Sequence, residues 1–187
     1  GRFEGGNEYL FFDTKNIQIT SANVSVVELN RLYETYLTTN FVRRGYPYNF
    51  TQDLNGDFII RTLQGSENGD IEADYSWVHF SLSAPVLLKD QEIYVYGKFN
   101  NYELNEANRI YYNPALEIYE GVILLKQGIY NYKFVAKTPQ SELYNAICGS
   151  HALTENRYLI LVYYRYFGNQ RDSLIAMGET SSFEIID

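Results

Sequence analysis

A chain of 187 residues with 31 aromatic side chains (19 Tyr, 11 Phe and 1 Trp) and 45% hydrophobic content has ample material for a core, which excludes intrinsic disorder. Its 23 acidic residues against 15 basic ones give a net charge of −8, which disfavours nucleic-acid backbones and anionic membrane surfaces, since both reward clustered Lys and Arg. The single cysteine excludes an internal disulfide, and with only two histidines beside it a structural zinc site lacks its usual ligands.

Along the chain the hydrophobic period is two rather than 3.6, in segments rich in Tyr, Val, Ile and Phe, which predicts an all-β protein. Strands are expected at residues 8–14, 24–29, 33–37, 57–63 and 73–83, then at 92–99, 109–113, 118–125, 128–137, 157–167 and 182–186. Only the stretch 26–37 has a helical alternative, because Val26, Leu29, Tyr33, Tyr36 and Leu37 also fit one helix face. Asn55-Gly56-Asp57, Asn68-Gly69-Asp70 and Gln127-Gly128 supply turn residues that tolerate positive φ, and residues 65–70 read as a mobile hairpin loop. No apolar run approaches the roughly 20 residues of a membrane-spanning helix, so no membrane insertion is expected.

Strand spacing of about ten residues suits β-sandwiches. A boundary is expected near Ala84-Pro85, where the composition shifts from 6 Tyr before it to 13 after it. The expected architecture is therefore two β-sandwich-like domains, residues 1–85 and 86–187. Two strands are apolar on both faces. Residues 157–167 alternate Tyr158, Ile160, Val162, Tyr164 and Tyr166 with Leu159, Leu161, Tyr163 and Arg165, and residues 74–82 oppose Tyr75, Trp77 and His79 to Val78, Phe80 and Leu82. A strand of this kind has something packed on both sides, so a surplus aromatic face calls for a neighbouring domain, another chain or a ligand.

Catalytic patterns are absent from the sequence. There is no His-Glu-x-x-His, no Gly-x-Ser-x-Gly, no Walker phosphate loop and no dinucleotide-binding glycine fingerprint, so a non-enzymatic protein without cofactor or metal is expected. Cys148 and His151 have the chemistry of a thiolate–imidazole pair, but no third group accompanies them, and a small buried apolar cysteine is the better reading. Asp53-Leu54-Asn55-Gly56-Asp57 starts like a calcium loop and then fails, with Phe58 at the glycine position and Gln64 at the twelfth, which leaves a tight turn. His79, alternating with Trp77 and Tyr75, reads as an aromatic-packed, hydrogen-bonded histidine.

The segment Ile93-Tyr94-Val95-Tyr96-Gly97-Lys98-Phe99-Asn100-Asn101-Tyr102, followed by Ile129-Tyr130-Asn131-Tyr132-Lys133-Phe134-Val135, resembles the glycogen- and starch-binding modules of amylolytic enzymes. That resemblance implies an immunoglobulin-like early-set sandwich over residues 86–187. It puts Tyr102 at the stacking position after Asn100 and Lys133 at a sugar-contacting position, where a ring covers a pyranose face while an ammonium donates to hydroxyls. Tyr102 stands where the family has Trp, and the family's Asp-Gly-x-Trp turn is missing from Ala136-Lys137-Thr138-Pro139-Gln140-Ser141. The alternative at this place is that Asn100-Asn101 forms a turn and Tyr102 packs on its own domain.

Over nearly its whole length the chain also resembles the later portion of the Bacteroidota type IX secretion system plug protein family. The words that carry this are Gly6-Asn7-Glu8-Tyr9 with Phe12-Asp13-Thr14, Asp53-Leu54-Asn55-Gly56, Glu72-Ala73-Asp74-Tyr75-Ser76-Trp77-Val78, Leu125-Lys126-Gln127-Gly128-Ile129-Tyr130-Asn131-Tyr132 and Thr154-Glu155-Asn156-Arg157-Tyr158. The resemblance implies an exported, periplasmic, outer-membrane-associated protein whose first immunoglobulin-like domain precedes these residues, and whose partner is an outer-membrane translocon protein. It transfers no catalytic residue. The leading functional expectation is thus a protein–protein interaction module whose partner surface includes Tyr102, Arg165 and Tyr166, with α-glucan binding through Tyr102, Lys133 and Asn100 as the alternative.

Overall fold

The computed structural model describes residues 4–63, 68–84 and 91–182. Among them run β1 (Leu10–Asp13), β2 (Val24–Leu29), β3 (Tyr33–Leu37), β4 (Asn40–Phe41), β5 (Phe58–Ile60), a four-residue helix α1 (Gly69–Glu72) and β6 (Tyr75–Ser83). There follow β7 (Glu92–Tyr96), β8 (Arg109–Asn113), β9 (Ile118–Lys126), β10 (Gly128–Lys137), β11 (Glu142–Leu143), β12 (Arg157–Tyr164) and β13 (Ser173–Ser181). The chain is all-β, as its periodicity predicts, and residues 26–37 form a strand pair rather than a helix. Strands β4 and β11 are too short to leave a periodic signal. The strand expected at 182–186 and the turning point at Pro85 lie outside the described residues, apart from Ser182, as does the first half of the loop expected at 65–70.

Eleven strands join in the order β1-β10-β7-β8-β9-β6-β3-β2, with β4 on β6 and both β5 and β11 on β10. Two strands change partner partway. In β10, residues 129–132 pair with β1 and 133–137 with β7, while Arg109 and Ile110 of β8 pair with β7 and its remaining residues with β9. Strands that exchange partners let a sheet turn a corner and fold over its own core.

Inside lie Phe12, Val24, Leu37, Val78, Phe80, Leu82, Ile93, Val95, Ile110, Tyr119, Tyr130, Tyr132, Phe134 and Ile147, all in one cluster. Phe12 stacks on Tyr130 at 5.1 Å and meets Phe80 edge-on at 5.7 Å, the offset and T-shaped geometries that aromatic quadrupoles favour. Residues on both sides of 85 pack into the same core, since β6 pairs with β9 along eight positions and β10 with β1 and β5. Composition shifts there, but pairing does not.

In β6, Val78, Phe80 and Leu82 point inward as the alternation predicts, while Tyr75 and Trp77 are exposed. On that outer face His79 stacks on Tyr36 at 4.1 Å and its Nε2 lies 2.6 Å from Glu34 Oε2, the packed, hydrogen-bonded histidine expected. The 53–57 segment is a turn. Leu54 O accepts from Asp57 N at 3.0 Å, and Asn55 and Gly56 both take positive φ (53° and 81°), which a two-residue hairpin turn of this hand requires. Cys148 is buried, with Sγ 3.8 Å from the Phe134 carbonyl oxygen.

Candidate functional site

Two features stand apart from the core: a lysine boxed by tyrosines, and a hairpin that is apolar on both sides.

The box is built by strand register. Lys133 in β10 lies opposite Tyr96 in β7, so the two side chains leave the sheet on the same face. Tyr9, just before β1, and Tyr144, just after β11, close the other sides. Lys133 Nζ sits 5.5 Å from the ring centroids of Tyr9 and Tyr96 and 5.6 Å from that of Tyr144, within cation–π range of all three. Tyr102, held at positive φ (57°) after the 3-10 turn Lys98–Asn100, leans on Tyr96 at 5.2 Å. Burial pushes the Lys133 amine below the ordinary lysine range, and among the described residues no carboxylate pairs with it. The same burial holds the Tyr9 and Tyr96 hydroxyls above their usual range, and the Tyr144 hydroxyl, which donates to Glu142, is pushed up to about 12. All three hydroxyls therefore hold their protons to higher pH than a free tyrosine does.

Lys133, Tyr9 and Tyr144 face a cavity of about 940 Å³. Its lining is largely polar and includes acidic side chains. Asp53 accepts from the Tyr9 and Asn55 backbone N–H groups, buried Glu8 accepts from the Tyr48 hydroxyl, and Glu4 accepts from Asn145 Nδ2 at 2.6 Å. Its floor is the root of the β12–β13 hairpin, where Asn156 Nδ2 donates to Gly5 O at 2.9 Å and Thr154 Oγ1 to Gly6 O at 2.9 Å.

Among the described residues, strands β12 and β13 pair only with each other, from Arg157 opposite Ser181 to Tyr164 opposite Ser173. Leu159, Ile160, Leu161, Val162, Tyr163 and Tyr164 are all exposed, at 41–59%, so neither face of this strand is covered. The sequence missed β13 because Ser-Leu-Ile-Ala-Met-Gly-Glu-Thr-Ser holds no aromatic residue and is interrupted by Gly178. At the tip, Arg165 Nε and Nη2 bond the two oxygens of Asp172 at 2.7 and 3.1 Å, and Tyr166 packs edge-on against Tyr164 at 4.8 Å.

The structure thus gathers Tyr102 and Lys133 around Tyr96, and sets Arg165 and Tyr166 on the hairpin. Asn100 does otherwise: its Oδ1 accepts from Gly97 N and its Nδ2 donates to Val95 O, so its amide is spent on its own turn. Tyr9, Tyr96 and Tyr144 went unidentified in the sequence as companions of Lys133. Tyr96 carried a signal in its alternation within a predicted strand, but only the register places it opposite Lys133.

No protein-family model matches this chain, and no curated protein does. Among solved structures it is similar to a hypothetical protein from Parabacteroides merdae ATCC 43184, known from a crystal structure at 2.30 Å resolution. The two share 33% identity and superpose with a TM-score of 0.87 over 96% of this chain and 45% of that one. The chain spans less than half the length of that relative.

Proposed function

We infer that this chain is a non-enzymatic interaction module that docks on a partner protein through the β12–β13 hairpin. The observation that carries this reading is the run Leu159–Tyr164, apolar on both faces and exposed on both. Water-exposed apolar surface of that extent marks an interaction site, and a two-stranded ribbon gains stability once something packs on it. Tyr163, Tyr164 and Tyr166 supply rigid aromatic anchors, and Arg165 a planar donor already oriented by Asp172. The likeness to a protein of a Bacteroidota species agrees with the resemblance to the plug protein family, and with it an envelope setting beside an outer-membrane translocon is our reading of the partner. Within this reading the β7–β11 region is an immunoglobulin-like, early-set unit fused to the rest of the sheet.

The test is affinity capture from outer-membrane extracts of a Bacteroidota species with the wild-type protein and with the double variant Leu161→Ser, Tyr163→Ser. Wild type is expected to retain an outer-membrane protein that the variant loses. Equal capture by both, or none by either, overturns the reading.

Lys133 beside Tyr102 favours the second reading, α-glucan binding, because a boxed ammonium and a half-exposed ring are the parts a pyranose needs. Retardation in glycogen gels that is lost in Tyr102→Ala and Lys133→Ala would support it, and unretarded migration would end it.

A further inference from the structure

We propose that the cavity between Lys133 and the hairpin root is a binding site for a short zwitterionic peptide, its carboxylate on Lys133 Nζ and its ammonium facing the wall of Asp53, Glu8 and Glu4.

The reason begins with an uncompensated charge. An ammonium withdrawn from water is expensive unless a counter-charge or hydrogen-bond acceptors replace the water. Among the described residues, Lys133 meets ring faces and no carboxylate, and cation–π contacts with tyrosines offset part of that cost, about 0.5–2 kcal/mol each. Two other lysines find carboxylates directly, Lys98 with Asp57 at 2.5 Å and Lys15 with Asp13 at 3.1 Å. The amine at Lys133 is instead held in place and left open toward the cavity.

A simple anion does not fit the rest of the cavity. Glu4, Glu8, Asp53 and Glu155 line it, Arg157 is already paired with Glu179, and a ligand carrying negative charge alone would meet net repulsion. A ligand that carries both a carboxylate and an ammonium matches this mixed lining. Asn55, which also lines the cavity, offers in its side-chain amide the hydrogen-bonding groups that a peptide backbone uses. The volume of about 940 Å³ lies at the upper end of small-ligand pockets and admits several residues. A neutral sugar would satisfy the amides but leave the ammonium without a counter-charge, which separates this proposal from glucan binding. It is independent of hairpin docking, since the hairpin contributes only its root.

Isothermal titration calorimetry with triglycine, triglycinamide, N-acetyltriglycine and maltotriose tests it. Triglycine is expected to bind, and removal of either end charge to weaken binding by at least about tenfold, the loss of one charge-assisted hydrogen bond. Lys133→Met should weaken triglycine binding by a similar factor, whereas Lys133→Arg keeps most of it. Thermal melts of both variants establish that they are folded. Triglycinamide binding as well as triglycine, an unchanged Lys133→Met, or no heat from any peptide would overturn the proposal. Binding of maltotriose in preference to triglycine would overturn it too, in favour of the sugar reading.

Discussion

The folded sheet and the β12–β13 hairpin are made of the same residue types and use them in opposite ways. In the sheet, Tyr130 and Tyr132 are about 2% exposed or less and pack on Phe12, Phe80 and Phe134. In the hairpin, Tyr163 and Tyr164 are half-exposed and, among the described residues, pack on nothing beyond their own ribbon and tip. The alternation of apolar side chains is as strong in both. What separates them is neighbours: β10 has strands along both edges and a sheet folded over it, whereas β12 has β13 alone. Aromatic content therefore reports capacity for contact, and topology decides whether the contact is internal stability or external binding.

The contrast can be broken most severely by alkali. Burial raises the Tyr130 and Tyr132 hydroxyls, and Tyr94 is pushed up to about 12 by burial and by its bond to Glu92. These groups keep their protons in the folded chain at pH values where the unfolded chain, with tyrosines near 10, releases them. Their contribution is complete below about pH 10 and is lost as pH rises from there through the raised values. Circular dichroism across pH 8–12 should show steep unfolding above about pH 10, and a flat profile would contradict the burial described.

Phe12→Ala comes next. It empties the space between Phe80, Tyr130 and Tyr132 and should cost about 3–5 kcal/mol in urea denaturation. Asn131→Ala is expected to cost about 1–3 kcal/mol, since buried Asn131 Oδ1 accepts from Leu54 N and its removal leaves that donor without a partner. Gly128→Ala belongs in the same range, because a Cβ there would lie 2.3 Å from the Ile59 carbonyl oxygen and force β5 away. The smallest effect lies in the hairpin. Tyr163→Ser should change stability by no more than about 0.5 kcal/mol while it weakens partner capture. A large loss of stability there would mean that the hairpin belongs to the folding unit and would erase the distinction.

Much of the fold was legible because sheet formation is local in its pattern. The strands at 24–29, 33–37, 109–113 and 128–137 coincide with β2, β3, β8 and β10, and the Asn55-Gly56 turn follows from the two residues that tolerate positive φ. The site was legible only in pieces. Lys133 and Tyr102 stood out through a family resemblance, yet Tyr9 and Tyr144 lie more than a hundred residues apart in sequence, and no local signal links them. Asn100, expected at a binding position, serves its own turn, because a short amide after Gly97 finds the Val95 carbonyl before it finds solvent.

By itself the sequence determined a β chain with an inward and an outward face on each strand, since a period of two follows from backbone geometry alone. The tertiary structure decided that residues on both sides of position 85 share one core, which aromatic faces are covered, and that one lysine stands among three rings without a counter-charge from the described residues. Those outcomes depend on which strands become neighbours. Pairing is a long-range choice, made by the summed burial of a core that no single segment encodes.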